Sequence, residues 1–192
     1  MKTLTLADMQ LAFDIMGKFL RDRKTLGEIA VYGGSAILLQ FDWRVGTQDV
    51  DAVIVSDGNH GIVRQAADFA AQTLGLERSW LSEAVAQYAS ASAKTGDLTF
   101  VGLYPEAGAP GLRVSAARPE YLLAMKVSAL QRATAQDRDF SDLVRLAGAI
   151  GAETQEQIEA VYRDFFPDQA LSPRSRLRLP EVVRAILHSK DS

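Results

Sequence analysis

Glu28-Ile29-Ala30-Val31-Tyr32-Gly33-Gly34-Ser35-Ala36-Ile37-Leu38-Leu39-Gln40-Phe41 holds the change of rhythm that decides how this chain reads. Glu28 to Tyr32 is short, apolar and β-prone and stops at two glycines. That is a strand running into a tight turn. Ser35 to Phe41 then reads as a short helix. A helix N-terminus presents free backbone N–H groups and the positive end of its dipole. Two glycines leave no Cβ in the path of an approaching phosphate, and Ser35 adds a hydroxyl donor. Gly33, Gly34 and Ser35 therefore form a candidate phosphate cradle. The same three residues also read as a plain tight turn capped by serine, and a short glycine motif alone does not separate the two.

Ten residues on comes Arg44-Val45-Gly46-Thr47-Gln48-Asp49-Val50-Asp51. Val50 to Val55 reads as a second strand. Residues i and i+2 of a strand share a face, so Asp49 and Asp51 would point the same way. Adjacent carboxylates repel, and a hard divalent cation relieves the repulsion. Such a pair can bridge two magnesium ions, one activating an attacking hydroxyl and the other holding a triphosphate. A solvated strand edge is the competing account.

Working outward, Leu6, Met9, Phe13, Met16 and Leu20 recur at steps of three and four and predict a helix, with Gly17 as a weak point inside it. Helical spacing recurs from Asn59 to Leu74, and Trp80 to Tyr88 suggests another short helix. Leu98 to Tyr104 and Leu112 to Ser115 read as strands. Pro119 opens a helix at a position that tolerates proline. Further helices run over Phe140 to Ile150, over the stretch around Ile158 to Phe165, and from Pro180 onward. The expected class is α+β: a small mixed sheet flanked by helices, followed by a helical C-terminal half. The boundary is expected near Ala116 to Pro119, giving a core over 1–116 and a helical region over 117–192.

Composition narrows the function. With 192 residues and 47% hydrophobic content, the chain can bury a sizeable core. It has no cysteine and two histidines, which excludes thiolate zinc sites, cysteine nucleophiles and His-rich metal sites. No stretch reads as a signal peptide or a membrane span, so a cytoplasmic location is the expectation. The net charge of -3 argues against a general nucleic-acid binder. The charge is uneven, however: Arg174, Arg176 and Arg178 fall in a stretch without an acid.

Strand, Gly-Gly-Ser, helix, then a strand bearing Asp-x-Asp resembles the polymerase-beta-type nucleotidyltransferase superfamily. Arg44 through Asp51 looks like the Arg…Thr-x-Asp-x-Asp motif of the AbiEii-like toxin nucleotidyltransferases and their uncharacterised relatives, with Gly46 as an extra residue between Arg44 and Thr47. Pro119 to Lys126 is similar to that group's helix after the sheet. Arg132 followed by Asp137-Arg138-Asp139-Phe140-Ser141-Asp142-Leu143 looks like its Arg…Asp-x-x-Asp-Leu segment. The resemblance covers Glu28 to Ile150. It implies a nucleotidyltransferase-type fold and transfer of a nucleoside monophosphate from an NTP to a hydroxyl of RNA, tRNA included, or of protein. It implies Mg2+ at Asp49 and Asp51, and phosphate contacts from Gly33, Gly34, Ser35, Arg44, Thr47 and Lys126. Asp139 and Asp142 would approach the same site, with Lys126 brought over the Gly33–Ser35 turn. The superfamily's third carboxylate has no counterpart inside Leu98 to Leu103, and Asp97 is the nearest candidate. The implied setting is a toxin–antitoxin or phage-defence module with a cognate antitoxin protein. Other accounts stand beside these: Lys126 as a snorkelling lysine, Asp142 as a partner of Arg138 or Arg145, and the whole chain as a catalytically weak nucleotide-binding or protein-interaction module.

Overall fold

In the computed structural model, described over residues 3–55, 58–90, 94–131 and 137–190, the chain is α+β. It divides into two compact units. The first comprises Met1–Tyr88 and Leu98–Ala117; the second comprises Ala89–Asp97 and Arg118–Ser192.

The first unit is built on a five-stranded mixed sheet of order β3-β2-β1-β5-β4. Its strands are β1 (Gly27–Val31), β2 (Val50–Ile54), β3 (Leu81–Ser82), β4 (Leu98–Tyr104) and β5 (Leu112–Ala117). The central strand β1 runs parallel to β5 and antiparallel to β2, with Val31 opposite both Ala116 and Ala52. β4 closes one edge antiparallel to β5. β1 and β5 are buried almost throughout, as strands covered on both faces must be. Helices α1 (Leu6–Asp22), α2 (Gly33–Gln40) and α3 (His60–Leu74) complete the unit.

α1 follows the sequence pattern. Thr5 and Asp8 form a reciprocal capping box at its start. Met9, Phe13, Met16 and Leu20 are fully buried. Phe13 meets the Trp80 ring at 6.4 Å and the Tyr104 ring edge-on at 5.5 Å. Gly17 has a reason to interrupt this stripe. A Cβ there would strike the backbone of Tyr104 and Pro105, and a Cβ at Gly111 would strike the backbone of Gly17 and Arg21. The two glycines let helix and loop meet backbone to backbone.

The segment around Trp80 corrects the expectation of a helix. It holds two single 3-10 turns, Arg78–Trp80 and Ala84–Gln87, on either side of the two-residue strand β3. Trp80 is anchored by its indole N–H, which donates to the Ala67 carbonyl at 3.0 Å. Leu81 pairs with Val50 of β2. A tertiary strand pairing therefore prevails over a short helical spacing.

The second unit holds α4 (Pro119–Ala129), α5 (Asp137–Ile150), α6 (Gln155–Phe165) and α7 (Pro173–Lys190), with α4 packed on α5 and α6. Tyr121 of α4 stacks on Phe165 of α6 at 4.8 Å with the rings 3° apart. Ser90 is tied to both: its N–H donates to the Tyr121 hydroxyl at 2.7 Å, and its hydroxyl donates to the Phe165 carbonyl. This is how 89–97 joins the helical unit. The expected start of the last helix at Pro180 is also corrected, because Pro180 lies inside α7. Pro173 takes the tolerated first position, and the Ser172 hydroxyl accepts the Ser175 N–H at 3.0 Å. The buried set Ser175, Leu179, Val182 and Ile186 then continues through the proline without a break. No described helix is long and apolar enough to cross a membrane.

Gly17→Ala tests the backbone contact. In an unobstructed helix this change stabilises by up to about 1 kcal/mol. Here it should instead destabilise by about 1–3 kcal/mol, the usual cost of overpacking. Urea denaturation gives the sign.

Candidate phosphate cradle and paired carboxylates

The cradle lies within the first unit, where β1 ends and α2 begins. Tyr32 is the N-cap of α2 and makes no side-chain cap. Its N–H donates to the Asp51 carbonyl at 2.8 Å, which continues the β1–β2 pairing by one residue. Gly33 then turns with φ +59, a left-handed conformation that favours glycine. A Cβ at Gly33 would collide with the Asp51 carboxylate. The turn is thus seated directly against that side chain. Ser35 is fully buried, and its hydroxyl donates to the Tyr32 carbonyl at 2.8 Å. Its proton is therefore committed to the turn itself. The first turn of α2 thus presents backbone N–H groups that the Tyr32 side chain does not cap.

Arg44 reaches back to the same turn. A Cβ at Gly34 would run into its guanidinium, and its Nε–H donates to the Gly46 carbonyl at 3.3 Å. Gly46 lies against Thr3 and Leu4, where no Cβ fits. Thr47 is buried, and its backbone exchanges hydrogen bonds with Leu4 at 2.7 and 2.9 Å. The Thr47 hydroxyl donates to the Asp49 carbonyl at 3.0 Å. Thr47 is the anchor of the loop that aims Arg44. The extra residue Gly46 is accounted for as the point where this loop touches the chain ahead of α1. Trp43 stacks on Phe41 at 4.0 Å between centroids.

β2 begins at Val50, so Asp49 stands on the bend just before it and Asp51 on the strand. Val50, Ala52 and Ile54 are buried, while Asp51 and Val53 share the half-exposed face. Burial raises the Asp49 pKa above the ordinary aspartate value, partly offset by a hydrogen bond from its own backbone. Magnesium takes one or two carboxylates and completes its shell with phosphate oxygens and water. Asp49 and Asp51 fit that donor set. Among the described residues no group of three or more His, Cys, Asp or Glu side chains has the geometry to hold a metal.

The remaining candidates lie in the second unit. Asp97 ends a 3-10 turn, and its carboxylate accepts the Lys94 N–H at 2.7 Å. The Lys126 ammonium sits between Asp139 at 2.6 Å and Asp142 at 2.9 Å. The Lys126 side chain is 12% exposed and that of Asp142 is 9% exposed. Asp142 thus pairs with Lys126, a contact between α4 and α5 that has no local signature in the sequence. Arg132 lies outside the described residues. Tyr32 was also missed; its only signal is its place before Gly33, as the N-cap of a helix that lacks a polar cap.

No family model matches the chain, and no curated protein does. Among solved structures, the chain is similar to an antigenic nucleotidyltransferase-like protein from Paracoccidioides brasiliensis, at 14% identity and a TM-score of 0.46, over 97% of this chain and 100% of that one. A backbone likeness of that size carries no functional argument, and the residues have to carry it.

Two outcomes check the electrostatics. Asp49 has its pKa raised in the folded state, so the folded chain binds the extra proton. That contribution to stability is full below the ordinary aspartate pKa and is lost as pH rises through the raised value. Asp49→Asn should therefore raise the melting temperature at pH 7 by on the order of 1–2 °C, kept small by solvent screening, and the gain should vanish near pH 3.5. Lys126→Met should destabilise at pH 7 by up to about 3 kcal/mol, because it removes the cation that both carboxylates contact. Thermal melts across pH read both.

Proposed function

We propose that this chain is a magnesium-dependent nucleotidyltransferase. The observation that carries the reading is the Arg44 guanidinium lying against Gly34 in the first turn of α2, with the Asp51 carboxylate against Gly33 of the same turn. A cation at a helix N-terminus meets the positive end of the dipole. An anion bound there would satisfy both. The carboxylates Asp49 and Asp51 are suited to a divalent cation, and a triphosphate with magnesium brings an anion for the helix start and a cation for the carboxylates together.

In this reading the α2 N–H groups and Arg44 bind the phosphates, and Gly33 and Gly34 let them approach the backbone. Bound magnesium supplies charge neutralisation and polarisation of the reacting phosphate. The acceptor hydroxyl oxygen forms a bond to the α-phosphorus, the bond from that phosphorus to the α–β bridging oxygen breaks, and pyrophosphate departs. The hydroxyl proton passes to water. Fixed groups placed where charge accumulates lower the barrier. Lys126, Asp139, Asp142 and Asp97 enter only through the superfamily resemblance, as phosphate-facing and carboxylate groups. The same resemblance supports an RNA acceptor, tRNA included, or a protein hydroxyl, and a toxin–antitoxin or phage-defence setting with a cognate antitoxin protein.

A second reading is a catalytically weak nucleotide-binding module. It is favoured by the lack, among the described residues, of a third carboxylate grouped with another pair.

The deciding experiment incubates the protein with each labelled triphosphate, magnesium and total RNA, and looks for label on RNA or on protein. Asp51→Asn should reduce transfer at least a hundredfold and abolish magnesium-dependent nucleotide binding while the melting temperature holds. Gly34→Val should weaken nucleotide binding at least tenfold, since its side chain would enter the space of the Arg44 guanidinium. Wild-type transfer by Asp51→Asn would end the enzymatic assignment. Binding without transfer in the native protein would establish the module instead.

A further inference from the structure

The short strand β3 brings a hydroxyl beside the acid of β2. The two strands run parallel, with Leu81 opposite Val50 and Ser82 opposite Asp51. Side chains alternate between the faces of a sheet, so residues paired in register share a face. Burial follows that alternation on both strands: Val50 and Leu81 are fully buried, while Asp51 and Ser82 are both half-buried. Ser82 therefore stands next to Asp51 on one face, across a strand spacing of about 4.8 Å. The Ala84 N–H donates to the Ser82 Oγ at 3.3 Å and orients it. A hydroxyl oxygen has two lone pairs, so one is left for another partner. The next acid along the chain is engaged elsewhere. Glu83 meets the His60 ring nitrogen at 2.8 Å and the Arg64 guanidinium at 3.6 Å, and Arg64 also donates to the Leu81 carbonyl at 2.9 Å.

We infer that Ser82 is a ligand of the magnesium ion bound at Asp51, a neutral oxygen donor set beside the carboxylates. The inference rests on the nucleotidyltransferase reading and deepens it by adding a protein donor to its metal site. Magnesium takes oxygen ligands at about 2.1 Å, so side chains on strands about 4.8 Å apart can share one ion. Serine and threonine hydroxyls hold magnesium together with a carboxylate in other phosphate-transferring sites. A neutral donor also suits the charge of this one. Two carboxylates balance one divalent cation, and a third would repel an incoming triphosphate. Ser82 adds a ligand without adding charge. A hydroxyl donor accounts, too, for a metal site without three grouped His, Cys, Asp or Glu side chains among the described residues.

The test uses manganese alone, titrated into the full chain and followed by the loss of its free-ion paramagnetic resonance signal, so that neither nucleotide nor turnover is needed. Ser82→Ala should weaken manganese binding by about tenfold, the scale on which groups around a metal act. Ser82→Cys reads ligation directly and is close to serine in size. The chain has no cysteine, so a thiolate-to-metal charge-transfer band that appears on adding cobalt(II) to this variant comes from position 82. A side chain that only hydrogen-bonds to Asp51 gives no such band. The band should be present in Ser82→Cys and lost when Asp51→Asn is added. Manganese affinity within about twofold of the native protein in Ser82→Ala, or no band in Ser82→Cys, overturns the inference. If Asp51→Asn still loses manganese in that case, the nucleotidyltransferase reading stands without Ser82. If the native protein binds no manganese, or Asp51→Asn binds it equally well, the metal site itself fails and the inference fails with it.

Discussion

The candidate site depends on one seating: the turn after β1 rests on the strand β2 that follows it. The Tyr32 N–H reaches the Asp51 carbonyl, and Gly33, lacking a Cβ, lies against the Asp51 carboxylate. The first of these is a backbone contact, and it fixes the position of the α2 N-terminus relative to the strand that carries the acid. Groups that must act on a small anion gain from being held this way, since reorganisation on binding is then small.

The loop between α2 and β2 extends the same logic. It must carry Arg44 back over the start of the helix it has just left. Thr47 makes this possible by pairing with Leu4 and holding the Asp49 carbonyl, and Gly46 lets the loop press against the lead-in to α1. Sequence reading took Thr47 for a ligand contact. In the structure its buried hydroxyl donates to the Asp49 carbonyl and shapes the loop that carries Arg44 and Asp49.

Charge is organised by opposite means in the two units. In the first, Arg44 and the Asp51 carboxylate both lie against the first turn of α2. In the second, the Lys126 cation is held between Asp139 and Asp142 at distances that leave it little freedom. Partial burial strengthens both arrangements, because charges screened less by water interact more strongly.

The sequence by itself determined most of the architecture. The apolar stripe of α1, the strand before Gly33-Gly34 and the uncharged run Leu98 to Tyr104 are local periodicities, and burial of one face is enough to turn each into a helix or strand. It also picked out Gly33, Gly34, Asp49 and Asp51, since their spacing carries the argument. Tertiary structure decided what no local pattern encodes. It made β3 from a stretch with helical spacing, by offering Leu81 a strand to pair with. It ran α7 through Pro180, because the buried stripe continued on both sides. It drew residues 89–97 into the helical unit through Ser90, Tyr121 and Phe165, and gave Asp142 a partner on another helix. Each of these is a contact between residues far apart in the chain. Their free energy comes from packing and pairing that exist only once the chain has closed on itself.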